Sequence, residues 1–73
     1  MTPEEIDNIF SYHAPKGDQP ARYEAIRSAA KIFALVIVAT TPKSADQTAA
    51  VRKLRECVMT ANAAIALEDA TGK

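Results

Sequence analysis

Two matched apolar seams constrain this chain more than any other feature. Tyr23, Ile26, Ala30, Phe33 and Ile37 advance by 3, 4, 3 and 4 residues, and Val51, Leu54, Val58, Ala61 and Ile65 repeat the same steps. That spacing keeps side chains on one stripe of an α-helix and is the pattern of a seam between helices. Between Pro20 and Pro42 there is no glycine or proline and alanine is frequent, so one long helix is expected over about residues 20–40. The stretch IFALVIVATT (residues 32–41) taken alone also fits a buried strand, and the upstream heptad decides for helix. Pro42 stops it. Ser44 with Gln47 three residues later makes a capping box for a third helix over about residues 45–68, with Gly72 beyond its end. A connection of about four residues makes the two long helices antiparallel.

Upstream, Thr2, Pro3 and Glu5 supply a capping hydroxyl, a proline for the first turn and a carboxylate three residues after the cap. They predict a short helix over about residues 3–12, whose Ile6, Ile9, Phe10 and His13 share a face that needs a larger surface to lean on. Pro15, Gly17 and Pro20 then break the chain. The expected fold is all-α: one domain over residues 1–73, a short N-terminal helix followed by a long antiparallel helical hairpin.

Composition says that such a unit is incomplete alone. Of 35 apolar residues 15 are alanine, and the unpaired Cys57 allows no intrachain disulfide. Chains of this size usually need a staple or a partner subunit. The eight apolar residues 32–39 (IFALVIVA) cover more than two turns, so the middle of the second helix is apolar all round while a hairpin partner covers one side. Either the short helix folds over Leu35, Val36 and Val38 or other subunits do. The second reading, a symmetric homo-oligomer, is favoured.

Several function classes fall away. A formal net charge of zero argues against a binder of nucleic-acid polymers, whose affinity comes from many cations displacing counterions. Eight apolar residues are too few to cross a bilayer, which takes about 20. The opening MTPEEIDNIF carries acids where a secretory signal carries bases, which makes an intracellular protein the expectation. His13 and Cys57 lie 44 positions apart without clustered ligands, so no metal site is expected, and Cys57 reads as a small buried residue. With Gly17 and Gly72 the only glycines there is no phosphate loop, and no triad is in view. No catalytic residue and no cofactor are expected.

What remains is a basic, aromatic stretch. Residues 14–31 hold Lys16, Arg22, Arg27 and Lys31 against Asp18 and Glu24, and Tyr23, Arg27 and Lys31 stand four apart on one stripe. That stripe is either a solvated face or an anion site. Tyr12 suits base stacking or packing, and His13 suits a helix cap or a ligand contact. A second basic group, Arg52, Lys53 and Arg55, reads as solvated.

The segments FSYHAP (residues 10–15), ARYEAIRSAAKIFA (21–34), TPKS (41–44) and KLRECVMTANAAIALED (53–69), in this order, resemble the small phage-encoded anti-CBASS cyclic-nucleotide sponges. These share a helical-hairpin domain with phage anti-Thoeris sponges. The resemblance implies a homohexamer of three-helix subunits that captures cyclic dinucleotides of the cGAMP type in the cytoplasm of an infected cell, without cleaving them. It implies a site between paired subunits. Tyr12 matches the aromatic that stacks on bases, and Arg27 stands where the family carries a lysine or arginine for phosphate, with His13, Pro15, Tyr23 and Lys31 around them. Some members also hold cyclic trinucleotides along the hexamer axis. Asn62, Ala66 and Leu67 fall in that region, Leu67 where a more polar residue is expected. Two rivals stand beside this reading: capture of a cyclic ADP-ribose derivative, as in the anti-Thoeris relatives, and a helical protein-interaction module using the face around Leu35 and Val38. A phosphodiesterase using His13 ranks last.

Overall fold

The computed structural model describes residues 1–68, and these form three helices without a strand: α1 (Pro3–Ile9), α2 (Gln19–Thr40) and α3 (Ala45–Ala66). Helix α1 starts on the expected capping box. The Glu5 N–H donates to Thr2 Oγ1 at 3.1 Å and the Thr2 N–H to Glu5 Oε1 at 2.9 Å. It ends at Ile9, three residues short of the expected Tyr12. The Ser11 hydroxyl donates to the Asp7 carbonyl, and His13 Nε2 lies 2.7 Å from the Asn8 carbonyl oxygen. Side chains thus serve carbonyls that further helical N–H groups would have taken.

The ambiguous stretch at 32–40 is helical, so α2 runs unbroken to Thr40 and turns back through residues 41–44 into α3. Ser44 Oγ accepts from the Gln47 N–H at 3.2 Å, half of the expected capping box. The Gln47 side chain does not return to Ser44. Its Nε2 instead donates to the Thr41 carbonyl at 3.0 Å and the Val38 carbonyl at 3.3 Å, closing the end of α2. Helix α3 ends at Ala66, with Leu67 as its cap and Glu68 in the turn beyond; Gly72 lies outside the described residues.

Among the described elements only α2 and α3 touch; α1 stands off from both. The α3 seam is as expected, with Val51, Leu54, Val58 and Ala61 half-buried and Ile65 buried. On α2, Tyr23, Ile26, Ala30 and Ile37 are half-buried, but Phe33 is 55 % exposed while its neighbour Ala34 is half-buried. With alanines at 30 and 34 half-buried, the phenyl ring sits to one side. There it lines a shallow apolar groove of about 250 Å³ with Ile26, Leu54 and Val58. Cys57, expected to be buried, is exposed in this same groove.

Among the described residues Ile65, still 6 % exposed, is the one buried apolar residue. Ile32, Leu35, Val36 and Val38 on α2 and Ile6, Ile9 and Phe10 near α1 remain exposed, so α1 does not cover the apolar middle of α2. The radius of gyration, 15.4 Å, exceeds the ~11 Å of a compact chain of this length. The subunit is an open hairpin with an arm.

Candidate functional site

The arm, residues 10–18, carries the first group of candidates. Tyr12 is 87 % exposed, the most open of the large apolar and aromatic side chains among the described residues. Its neighbour His13 is half-buried and tied to the end of α1 through the Asn8 carbonyl, the capping alternative of its two sequence readings. Pro15 follows on the surface. Gly17 adopts φ +59°, a left-handed conformation that L side chains resist, and it turns the chain into α2.

The second group lies on α2. Tyr23 is half-buried, Arg27 and Lys31 are exposed, and the helix sets them one turn apart as expected. Arg27 already has an anion: its Nη2 lies 2.6 Å from Glu24 Oε1, and Ser28 Oγ donates to Glu24 Oε2 at 3.0 Å. The hydrogen bond from Arg27, then that from Ser28, holds the Glu24 carboxyl below its ordinary range. Within one subunit no hydrogen bond or ion pair joins Tyr12 or His13 to Tyr23, Arg27 or Lys31 among the described residues. The two groups occupy separate elements.

At the far end of α3, Asn62, Ala66 and Leu67 are half-buried, and the Asn62 side-chain oxygen is buried without a hydrogen-bond partner. Beside them lies a polar junction that the sequence reading missed. Gln19, at 5 % exposure the most buried polar residue, donates from Nε2 to the Ile65 carbonyl at 3.1 Å and to Glu68 Oε2 at 3.2 Å. Its Oε1 accepts from the Lys16 N–H at 3.1 Å. Arg22 Nη1 pairs with Glu68 Oε2 at 2.7 Å and with Asp18 Oδ1 at 3.4 Å, and the hydrogen bond to Glu68 leads in raising the Arg22 pKa. The available signal was topological: in an antiparallel hairpin the start of α2 must meet the end of α3, where carbonyls lack helical partners. Arg52 and Arg55 are exposed on α3 and line a shallow hollow with Glu56 and Met59. No group of three or more metal-ligating side chains occurs among the described residues, and none of their helices is long and apolar enough to cross a membrane.

This arrangement offers a ring, cations and uncovered apolar surface, and the comparison with protein families gives it a context. The family model described as Acb2/Tad1, hairpin domain, matches residues 2–66, which include α1, the arm and the whole hairpin. The chain belongs to the Acb2/Tad1 family. Membership implies a phage sponge for cyclic nucleotides, a protein that binds its ligand rather than cleaving it. Comparison with curated proteins and with solved structures finds no match. Tyr12 and Arg27, the Acb2/Tad1 candidates carried over from the resemblance, both lie inside the matched span.

Proposed function

We propose that this Acb2/Tad1 protein sequesters cyclic dinucleotides of the cGAMP type, intact, in the cytoplasm of an infected cell, and so blocks CBASS signalling. The observation that carries the reading is the exposure of Tyr12 on an arm joined to a helix bearing Arg27, inside a family of cyclic-nucleotide sponges. A ligand with two bases and two phosphates needs two rings and two cations, and a two-fold pairing of subunits duplicates one Tyr12 and one Arg27 into that set. Tyr12 stacks on a base. Arg27 exchanges Glu24 for a phosphate, to which a guanidinium can bind bidentately. His13, Pro15, Tyr23 and Lys31 frame the cleft. The assembly is a homohexamer, and Asn62, Ala66 and Leu67 face its axial region, where a cyclic trinucleotide is the candidate second ligand.

Useful sequestration takes nanomolar affinity, about 12 kcal/mol. Isothermal titration of the assembled protein with a panel of cyclic dinucleotides tests this, with cyclic trinucleotides and a cyclic ADP-ribose derivative as further arms. Tight binding of a dinucleotide, with ligand recovered unaltered after denaturation, is the expected result. Heat only with the ADP-ribose derivative would move the protein to the anti-Thoeris role. The exposed face around Leu35 and Val38 favours one rival, a helical protein-interaction module. Light scattering separates the two, because a stable monomer favours the module and a closed hexamer the sponge.

A further inference from the structure

The most buried polar residue among those described belongs to no expected site, and its bonds span three parts of the chain. Gln19 accepts the Lys16 N–H of the arm, donates to the last turn of α3 at the Ile65 carbonyl, and donates to Glu68, which also holds Arg22. The Gln19 N–H in turn donates to the Lys16 carbonyl at 3.0 Å, so the two residues close a ring of two hydrogen bonds. Further up the arm His13 is tied to α1 through the Asn8 carbonyl. Between the pinned residues 13 and 16 lie only Ala14 and Pro15, and proline fixes its own φ near −65°. Helix α1 touches neither long helix, yet this relay connects it to the hairpin.

We propose that Gln19 is a positioning residue for the ligand site: a latch that fixes the Tyr12 arm against the joined ends of α2 and α3. The inference rests on the sponge reading for its functional consequence. A free arm would have to be ordered at each binding event, and a pre-set arm avoids most of that entropic loss. Gln19 also caps α3 by serving a terminal carbonyl, so a purely structural role has to be separated from positioning.

Gln19→Met keeps the length and apolar volume of the side chain and removes its hydrogen bonds; Gln19→Ala is the companion variant. Two measurements are made on the assembled protein: amide hydrogen exchange without ligand, and titration with the cyclic dinucleotide that the wild type binds best. The latch predicts that in both variants the Lys16 amide exchanges at least tenfold faster while amides in the middle of α2 and α3 stay within about twofold of wild type. It also predicts at least a tenfold loss of affinity. Unchanged Lys16 exchange, or unchanged affinity beside a loosened arm, overturns the proposal, and equal loss of protection throughout the hairpin overturns it in favour of a structural role. If the wild type binds no cyclic dinucleotide the sponge reading fails instead, and the exchange result alone decides whether Gln19 holds the arm.

Discussion

The guanidinium of Arg27 and the ring of Tyr12 are both open to solvent, but they differ in readiness. In the proposed site Tyr12 needs only a base, and stacking is worth roughly 1–3 kcal/mol per base. Tyr12→Ala should therefore weaken dinucleotide binding by roughly tenfold or more, read by titration, with the oligomeric state unchanged. Arg27 must first release Glu24. An exposed pair of this kind contributes little and is screened by salt, so phosphate can replace it. Arg27→Ala should lower affinity, whereas Glu24→Gln removes a competitor and should raise affinity by a factor of roughly two to five; weaker binding by Glu24→Gln would show that Arg27 does not meet phosphate. The direction of the carboxyl shifts fixes a pH window. Glu24 and Glu5 both titrate below the ordinary 4.5, Glu24 chiefly through Arg27 and Glu5 through its hydrogen bonds with Thr2. Their pairing is complete above the ordinary value and is lost as pH falls through the lowered one. Side-chain NMR of Glu5 should give a midpoint below 4.5, with loss of the hydrogen bond from the Thr2 N–H to the Glu5 carboxylate in the same step. Tyr12 and Arg27 were legible as residue types in a motif. Glu24 as partner and Gln19 as latch were not, because a hydrogen-bond partner is a matter of rotamer and neighbouring turn rather than of composition.

At the scale of elements, caps and breakers set most boundaries. Thr2 and Glu5 start α1, Pro42 ends the α2 segment and Ser44 starts α3, each by local chemistry written in a few adjacent residues. Where local chemistry had competing outlets, the boundaries depart from the caps that adjacent residues imply. Ser11 and His13 ended α1 early by capturing its carbonyls, and Gln47 left its capping box to serve the end of α2. The arm depends on Gly17. A Cβ there would meet nothing within 4 Å, so the penalty of Gly17→Ala is one of backbone conformation alone. It should cost about 1–2 kcal/mol in the arm conformation, seen as faster exchange at the Lys16 amide with the hairpin's helicity by circular dichroism unchanged.

The whole molecule is short of interior. One buried apolar residue among those described, in an open, elongated hairpin, makes a weak case for a stable lone subunit. If copies complete the core, the melting temperature should rise with protein concentration, as linkage requires for an assembly whose unfolded state is monomeric. On the proposed two-fold arrangement, Leu35→Lys combined with Val38→Lys should leave a monomer in light scattering and abolish ligand binding, since a cleft between paired subunits would need both. A concentration-independent melting temperature in a monomer would contradict both. The sequence by itself determined the helices, their order and the antiparallel hairpin, because apolar period, caps and prolines act over a few neighbouring residues. It also carried the motifs of the Acb2/Tad1 family. Only the tertiary structure decided that Ala34 is more buried than Phe33, that Cys57 faces a groove and that α1 stands off the hairpin. Those outcomes depend on how closely two helices approach and on which distant carbonyl a buried amide can reach, distances that no run of adjacent residues encodes.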